Sequence, residues 1–283
     1  EPIRCPRNRR NYKMTNDEMP DEFEENGDGH EDVTSLNLSD HGLTMLPPEI
    51  FQLTNLTHLD LSFNQLSWLP PEIGLLNNLT HLDLSDNELT SLPPEICQLT
   101  NLGELDISFN RLTELPPELL LLPNLSSLVL SWNKLTSLPP EISKLTRQPH
   151  LRLSFNQLTE LPPELAQLTH LTELDLSGNN LTELPLEVCK LINLTTLILS
   201  RNQLTSLPPE IGRLTKLTKL NLRLNQLASL PPEFCRLTKL NTLLLEDNPL
   251  TSPPLLLASQ GIEAIQSYFA SRQDDKSIDA ALP

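Results

Sequence analysis

The stretch Leu56–Asn64 reads L-T-H-L-D-L-S-F-N, and most of the chain repeats it. Its closing asparagine recurs every 23 residues, without insertion or deletion. The recurring residues are Asn64, Asn87, Asn110, Asn133, Asn156, Asn179, Asn202, Asn225 and Asn248. A fixed period of this size predicts a solenoid of stacked supersecondary units. We number each unit from its first leucine, so that Leu56 is position 1 and Asn64 is position 9.

The first half of the unit has the pattern of a short strand. Leu59 and Leu61 alternate with polar residues, which predicts one buried face, and the next unit is expected to cover it. The asparagine at position 9 is expected where the chain turns off the strand, because its amide can serve backbone groups that would otherwise be buried without partners. We interpret the asparagine column as a structural ladder. The first unit has His41 at this position, a change that a half-exposed terminal unit can tolerate.

The second half of the unit reads L-T-S-L-P-P-E-I-C-Q-L in Leu89–Leu99. Two prolines remove two backbone donors, which excludes a central strand. Proline followed by glutamate favours a helix start, so an extended segment and one short helical or 3₁₀ turn are expected. The sequence therefore predicts an α/β solenoid with a parallel concave sheet of about ten short strands, ~48 Å long, and a proline-rich convex face.

The pattern L-x-x-L-x-L-x-x-N-x-L over residues 33–252 resembles the leucine-rich-repeat family, and this resemblance implies a horseshoe-shaped solenoid of ten repeats. The ending N-P-L-T-S-P-P, followed by Q-G-I-E-A-I, resembles the repeat region of Roco proteins, in which the repeats precede a Ras-like GTPase domain. The units also resemble Ras-binding scaffolds of the Shoc2 type and plant intracellular Ras-group repeats. These resemblances imply a protein partner such as a small GTPase or another signalling protein. The sequence contains no G-x-x-x-x-G-K-[ST] motif, so GTPase activity does not carry over.

The repeats divide the chain into four predicted segments. Residues 1–32 form a basic and then acidic tail, expected to be disordered, with a short basic docking peptide as the alternative. The solenoid spans residues 33–252. Residues 253–272 are predicted to form a cap helix, with Ile262, Ile265 and Phe269 on the stripe that covers the last unit. Residues 273–283 are expected to be a frayed tail.

The chain is acidic, with a formal net charge of −17. This charge argues against nucleic acid and anionic membranes as general partners. No apolar run approaches the ~18 residues needed for membrane insertion, and no signal peptide is visible at the start.

Three cysteines indicate a compartment. Cys97, Cys189 and Cys235 share one column, at least two repeats apart, which separates them by ~10 Å and exceeds the limit for a disulfide. We therefore expect unpaired thiols and a reducing, cytoplasmic location. Five glycosylation sequons, which begin at Asn55, Asn78, Asn124, Asn180 and Asn193, follow from the repeat consensus and carry little weight.

The sixth unit departs from the pattern. Gln148 replaces the core leucine at position 1, and Pro149 removes a possible ladder donor. A lost buried leucine costs about 2–5 kcal/mol, so this unit is expected to be the weakest in the solenoid interior. Two interpretations remain open: a tolerated defect, or a functional basic interruption formed by Arg147, His150 and Arg152.

The variable positions of the concave face give the candidate site. Position 8 holds four aromatic residues in units two to six of a chain that is only 4% aromatic. Large exposed aromatic side chains are typical interface anchors, although a secondary packing spine is the alternative for the three phenylalanines. Aspartates occupy position 5 beside them, and the small serines at position 7 are expected to leave the face open. The predicted partner-binding residues are Asp60, Phe63, Asp83, Asp106, Phe109, Val129, Trp132, Arg152 and Phe155.

No catalytic constellation is present, and no cofactor is predicted. His58 and His81 are adjacent in one column, where surface histidines are a better interpretation than a metal pair. The sequence thus predicts a non-catalytic scaffold or sensor for protein–protein interaction, acting in intracellular signalling. Two alternatives remain open: a regulatory repeat fragment of a multidomain Roco-type GTPase, and an extracellular receptor recognition module.

Overall fold

Ten strands form one parallel sheet in chain order. The computed structural model describes residues 33–279, with side chains for residues 33–271, so the predicted tail at 1–32 and residues 280–283 lie outside the described part. The strands are β1 (Ser35–Asn37), β2 (His58–Asp60), β3 (His81–Asp83), β4 (Glu104–Asp106), β5 (Ser127–Val129), β6 (His150–Arg152), β7 (Glu173–Asp175), β8 (Thr196–Ile198), β9 (Lys219–Asn221) and β10 (Thr242–Leu244). This open sheet confirms the predicted solenoid.

The register of the sheet follows the repeat period. Leu59 lies beside Leu82, and Leu82 beside Leu105, so equivalent residues of successive units are neighbours. The leucine at position 4 is buried in β2 while the residues on either side of it are not. One unit cannot cover this leucine, and stacking identical units at ~4.8 Å spacing is what removes it from water.

Short 3₁₀ helices run along the opposite side of the solenoid. They span Pro48–Gln52, Pro71–Leu75, Pro94–Gln98, Pro117–Leu121, Pro140–Lys144, Pro163–Gln167, Val188–Lys190, Pro209–Arg213 and Pro232–Arg236. Eight of them begin at the second proline of the P-P-E motif, where the missing N–H is harmless. The helix Val188–Lys190 starts later, because Leu186 takes the place of that proline.

The asparagine ladder has the predicted structural role. In the seventh unit, Asn179 is buried, its Nδ2 donates to the backbone oxygens of Leu153 and Leu176 at 3.0 Å each, and its Oδ1 accepts from Leu158 N–H at 3.0 Å. The same pattern recurs from Asn64 to Asn248. In the first unit, His41 is only half-buried, and its Nδ1 bonds the backbone oxygen of Ser39 instead.

The C-terminal end differs from the single cap helix predicted over 253–272. A short helix α1 (Leu255–Ala258) is followed by α2 (Ile262–Asp279), and Gly261 lies between them at a φ of 102°. A positive φ of this kind interrupts a helix, and after Gly261 neither proline nor glycine occurs before Pro283 to end α2 at 272. The predicted stripe is confirmed, because Ile265 is fully buried while Ile262 and Phe269 pack against the core.

The sixth unit breaks the regular pairing of the sheet. β5 and β6 pair only at Val129 and Arg152, because Pro149 has no N–H to donate. Gln148 is 2% exposed, and its Oε1 accepts the Leu128 N–H at 3.0 Å. Its Nε2 is buried with no hydrogen-bond partner among the described residues. The Gln148 side chain therefore supplies an acceptor for the Leu128 N–H, but it also places an unpaired amide donor in the core.

We expect the double substitution Gln148→Leu with Pro149→Thr to raise the melting temperature. Leucine fills the core position and removes a buried amide whose unpaired donor costs about 1–3 kcal/mol, while threonine returns a backbone donor to the ladder. The measurement is thermal unfolding of the double variant and of Gln148→Leu alone. Both variants lose the Gln148 Oε1 that accepts from the Leu128 N–H, so the single variant should gain less, because only the double variant regains the N–H at position 149 through which β6 can pair regularly with β5. A double variant that melts below the wild type would contradict this account.

The three described cysteines are free thiols. Burial raises the pKa of all three, and it raises the pKa of Cys189, which also lies near the Glu210 carboxylate, to about 12. The thiolate is the reactive form, so at pH 8 native Cys189 should react with a thiol reagent more slowly than Cys97 or Cys235. Mass-resolved labelling before and after denaturation measures this order. Failure of any of the three to label in denatured, unreduced protein would reveal a disulfide and contradict the expectation of unpaired thiols.

Candidate functional site

Position 8 of the unit has a backbone conformation that the sequence analysis did not anticipate. Its residues have positive φ in all ten units, between 53° and 65°. For residues other than glycine this left-handed conformation costs about 1–3 kcal/mol, and aspartate bears it more easily than bulky side chains do. The sequence signal was present in the column itself, which contains Gly178 as well as aspartates at Asp40, Asp86 and Asp247. Aromatic residues at such a position therefore carry a backbone cost that contacts of their side chains can offset.

Three of the four aromatic side chains at position 8 stack on one another, and this contact offsets the backbone cost. The Trp132 ring is stacked on Phe109, with centroids 5.2 Å apart, and on Phe155, with centroids 3.8 Å apart. Such pairs stabilise by about 0.5–1.5 kcal/mol each, comparable to the backbone cost. The stack ends at Gly178, where an added Cβ would lie 2.7 Å from the Phe155 ring. We call Phe109, Trp132 and Phe155 the ring stack.

The ring stack is part of the packing and also part of the surface. Phe109 remains 48% exposed and Trp132 42% exposed, while Phe155 is half-buried. Phe63 is separated from the stack by the unit of Asp86, has no ring contact among the described residues and is 58% exposed. A strained and exposed phenylalanine without a ring partner is not explained by packing, which makes Phe63 the strongest sign of a binding role.

The aspartates at position 5 have a structural task as well. Asp60 Oδ1 accepts from Ser62 N–H at 2.9 Å and from Ser62 Oγ at 2.6 Å. Asp106 does the same with Ser108, and this bond braces the turn into position 8. Burial raises the pKa of Asp83; hydrogen bonds from Ser85 oppose the rise, and the Asp106 and Asp60 charges add to it. In Asp60 and Asp106, the Oδ1 oxygen of the carboxylate thus braces the turn.

The serines at position 7 do not form the open surface that we expected. Most of them are buried, because their hydroxyls turn inward to the aspartates or to each other, as in the bond of 3.0 Å from Ser154 Oγ to Ser131 Oγ. Val129 is half-buried and Arg152 is exposed, at the point where β5 and β6 pair. The candidate patch is therefore formed by positions 5 and 8, over a buried serine column.

Other polar clusters have structural explanations. The rings of His58 and His81 stack with centroids 4.2 Å apart, and His81 Nε2 lies 3.3 Å from Glu104 Oε1. Within residues 33–271 no group of three or more His, Cys, Asp and Glu side chains is arranged to hold a metal ion.

A groove of about 670 Å³ lies away from the predicted residues, along the edge where the strands begin. It is lined by Thr34, Asn55, Thr57, Asn78, Thr80, Asn101 and Asn124. Asn78 Nδ2 donates to Thr54 O at 2.9 Å and Asn124 Nδ2 to Thr100 O at 3.0 Å, so this edge carries a second asparagine ladder.

The repeats match family models along most of their length. A leucine-rich-repeat model matches residues 31–89 and 192–250, a model of two leucine-rich repeats matches 77–119 and 150–187, and a single-repeat model matches 124–145. The leucine-rich-repeat domain of the type III effector XopL is 33% identical, with a TM-score of 0.64, and the match covers 77% of each chain. The chain belongs to the leucine-rich-repeat family.

Other leucine-rich-repeat structures align over a similar part of the chain. A leucine-rich-repeat protein of Leptospira interrogans is 45% identical, with a TM-score of 0.72, and the match covers 77% of this chain and 56% of that protein. The ectodomain of the Arabidopsis thaliana membrane receptor kinase GASSHO1/SCHENGEN3, solved with CASPARIAN STRIP INTEGRITY FACTOR 2, is 32% identical, with a TM-score of 0.64, and the match covers 78% of this chain and 31% of that one.

This leucine-rich-repeat chain thus spans between about a third and just over half of the first relatives it matches. Comparison with curated protein sequences gave no match. Between residues 33 and 279, no helix combines the length and apolar composition that a bilayer crossing requires. Leucine-rich repeats are typically non-catalytic scaffolds that bind proteins, with an extended sheet face as the binding surface.

Proposed function

We propose that this chain is a non-catalytic protein-binding module that recognises its partner through positions 5 and 8 of units two to six. The observation that carries this proposal is Phe63, which has a left-handed backbone and a mostly exposed ring that stacks on no other ring among the described residues. The left-handed backbone is common to position 8 of all ten units, so the exposed ring is the feature that supports a binding role, because exposed rings are the usual anchors of interfaces.

The charge around the patch indicates the partner's chemistry. Between residues 33 and 143, Arg111 and Lys134 are the only lysine or arginine residues, whereas aspartate occupies position 5 of units two to four and position 8 of units one and three. A partner that carries basic side chains next to apolar ones would complement this surface, and opposite charge would accelerate its association. The carboxylate oxygens of Asp60 and Asp106 that do not brace the turn are available to such basic groups.

We further propose that the module is a cytosolic signalling scaffold or sensor whose partner is a small GTPase or a related signalling protein. The resemblance of the L-P-P-E-I units to Shoc2-type and plant Ras-group repeats supports the partner class. The absence of a disulfide among the three described cysteines supports a reducing compartment.

An extracellular recognition module is the competing hypothesis, since the plant receptor ectodomain above was solved with CASPARIAN STRIP INTEGRITY FACTOR 2. The sequon residues Asn78, Asn124 and Asn193 each donate Nδ2 to a backbone oxygen of the preceding unit, so these amides already have structural partners. Mass analysis of the protein from its native source decides between the two, because occupied sequons would contradict the cytosolic proposal.

Capture of partners tests the proposed function directly. The bait is the repeat protein, and its matched control carries Phe63→Ala with Trp132→Ala, two substitutions on the exposed patch. We expect a protein retained by the wild type and lost with the double variant, provided that circular dichroism shows both baits folded. Retention of the same proteins by both folded baits would contradict the proposed face.

A further inference from the structure

The position-8 column has a gap at the third unit. Phe63 lies on one side of it and Phe109 on the other, while Asp86 occupies the unit between them. The backbone is the same at all three residues, with φ values of 56°, 55° and 53°. The side chains therefore leave the chain in the same direction, one repeat apart.

The ring stack shows how side chains at this position are oriented. The planes of Phe109 and Trp132 are 11° apart, and those of Trp132 and Phe155 are 9° apart, so the rings lie face to face along the solenoid axis. Trp132 covers one face of Phe109, and the other face is turned towards the unit of Asp86. Two repeats separate Phe63 from Phe109, which corresponds to ~9.6 Å, so a group midway between them lies ~4.8 Å from each ring. That distance is within the ~6 Å over which a cation is attracted to an aromatic face.

The charges around the gap favour a cation. The Asp86 carboxylate has no hydrogen bond or ion pair with any described residue, and the nearest cation in the sequence, Arg111, is already held by Glu88 at 3.0 Å. Asp83 and Asp106, at position 5 of the third and fourth units, add negative potential on the concave side. The gap thus combines two aromatic residues with a carboxylate that forms no ion pair with any lysine or arginine between residues 33 and 271.

We propose that Phe63, Asp86 and Phe109 form a slot for the guanidinium group of an arginine side chain from the protein partner. This inference rests on the proposed function and deepens it, because it names the partner side chain that binds in units two to four of the patch. The guanidinium lies between the two rings and donates hydrogen bonds to the Asp86 carboxylate. Because the group is planar and remains charged at all physiological pH values, it suits a gap between two rings better than the strongly hydrated ammonium of lysine.

The test uses the folded repeat protein and small probes. Acetyl-arginine amide is titrated into the protein while NMR follows the ring resonances of Phe63 and Phe109, with acetyl-lysine amide and the neutral isostere acetyl-citrulline amide as comparison probes. We expect saturable shifts of both rings with the arginine probe, weaker binding of the lysine probe and no saturable binding of the citrulline probe. Asp86→Asn should raise the Kd of the arginine probe at least about fivefold, the size expected for losing a charge-assisted hydrogen bond in an exposed slot.

The control is Asp247→Asn, at a position-8 aspartate that, unlike Asp86, lies 3.7 Å from an arginine nitrogen, Arg223 Nη2. Asp247 occupies position 8 of the last unit with a φ of 62°, and its neighbour in the column is Leu224 rather than an aromatic residue. This variant should bind the arginine probe as the wild type does. If both variants lose the same affinity for the arginine probe, the effect is general electrostatic attraction and the slot is contradicted. Equal affinity for the arginine and citrulline probes would also contradict the slot. The partner-capture experiment does not depend on these probes, so it can still succeed when the slot is contradicted. Failure of the slot and failure of the proposed function are therefore distinguishable.

Discussion

Asn179→Ala is expected to lower the free energy of unfolding by about 3 kcal/mol or more, because several buried backbone groups lose their partners at once and each unsatisfied group costs roughly 1–3 kcal/mol. Asn179 holds the oxygens of Leu153 and Leu176 and the N–H of Leu158, at 3.0 Å in each case. The Leu153 and Leu158 groups belong to the sixth unit and the Leu176 group to the seventh, so the loss falls on the interface between these two units. For a protein of this size the change corresponds to a fall in melting temperature of roughly 6–12 °C.

The control is the adjacent residue. Asn180 is exposed, and its side chain makes one long contact, with Gln203 Nε2 at 3.4 Å. Asn180→Ala should change the stability little, since exposed substitutions away from special features usually stay within ~0.5 kcal/mol. Thermal and urea unfolding of both variants measures the difference. Similar melting temperatures for the two would show that water replaces the amide and that the ladder is not a major source of stability.

Trp132→Ala is expected to weaken partner binding by more than ~2 kcal/mol, the usual size of an anchor truncation, which corresponds to roughly 30-fold in Kd. The indole is the centre of the ring stack, and its 42% exposed surface is available to a partner. Its removal also releases Phe109 and Phe155 from their stacked positions, so the loss reaches the neighbouring contacts. The core leucines beneath the sheet do not depend on the indole, so the fold should survive.

Thr242→Ala is the control for this prediction. Thr242 lies in the same sheet, in β10, outside the patch, so its substitution should leave the Kd unchanged. The Kd of both variants is measured with the partner captured by the wild-type bait, alongside their circular dichroism. Equal effects of the two substitutions would remove the patch from the interface. Unfolding of Trp132→Ala would show instead that the ring stack is structural.

The repeat pattern alone determined the architecture. A leucine such as Leu59 cannot be buried by its own 23-residue unit, so stacking follows from the period, and the paired prolines exclude a second sheet on the opposite side. The asparagine ladder and the half-buried end at His41 could also be predicted, because the buried backbone groups of a regular turn need the same partner in every unit. The departure at Gln148 and Pro149 likewise located the unit where the structure shows the pairing of β5 with β6 reduced.

The tertiary structure decided the chemistry of the candidate site. The positive φ at position 8 depends on the turn, and only that backbone places side chains from successive units face to face, as in the stack of Trp132 on Phe155. The D-x-S sequence at Asp60 and Ser62 was a signal of the braced turn. Whether a carboxylate faces solvent or bonds its own backbone, however, depends on the three-dimensional structure and not on composition. Asp86 shows the limit most clearly: in the sequence it is one acid among many, and the role that we propose for it rests on the two aromatic residues that the repeat places on either side of it. Periodicity fixes which residues share a column, whereas the direction in which a side chain leaves that column is set by the turn that all units form together.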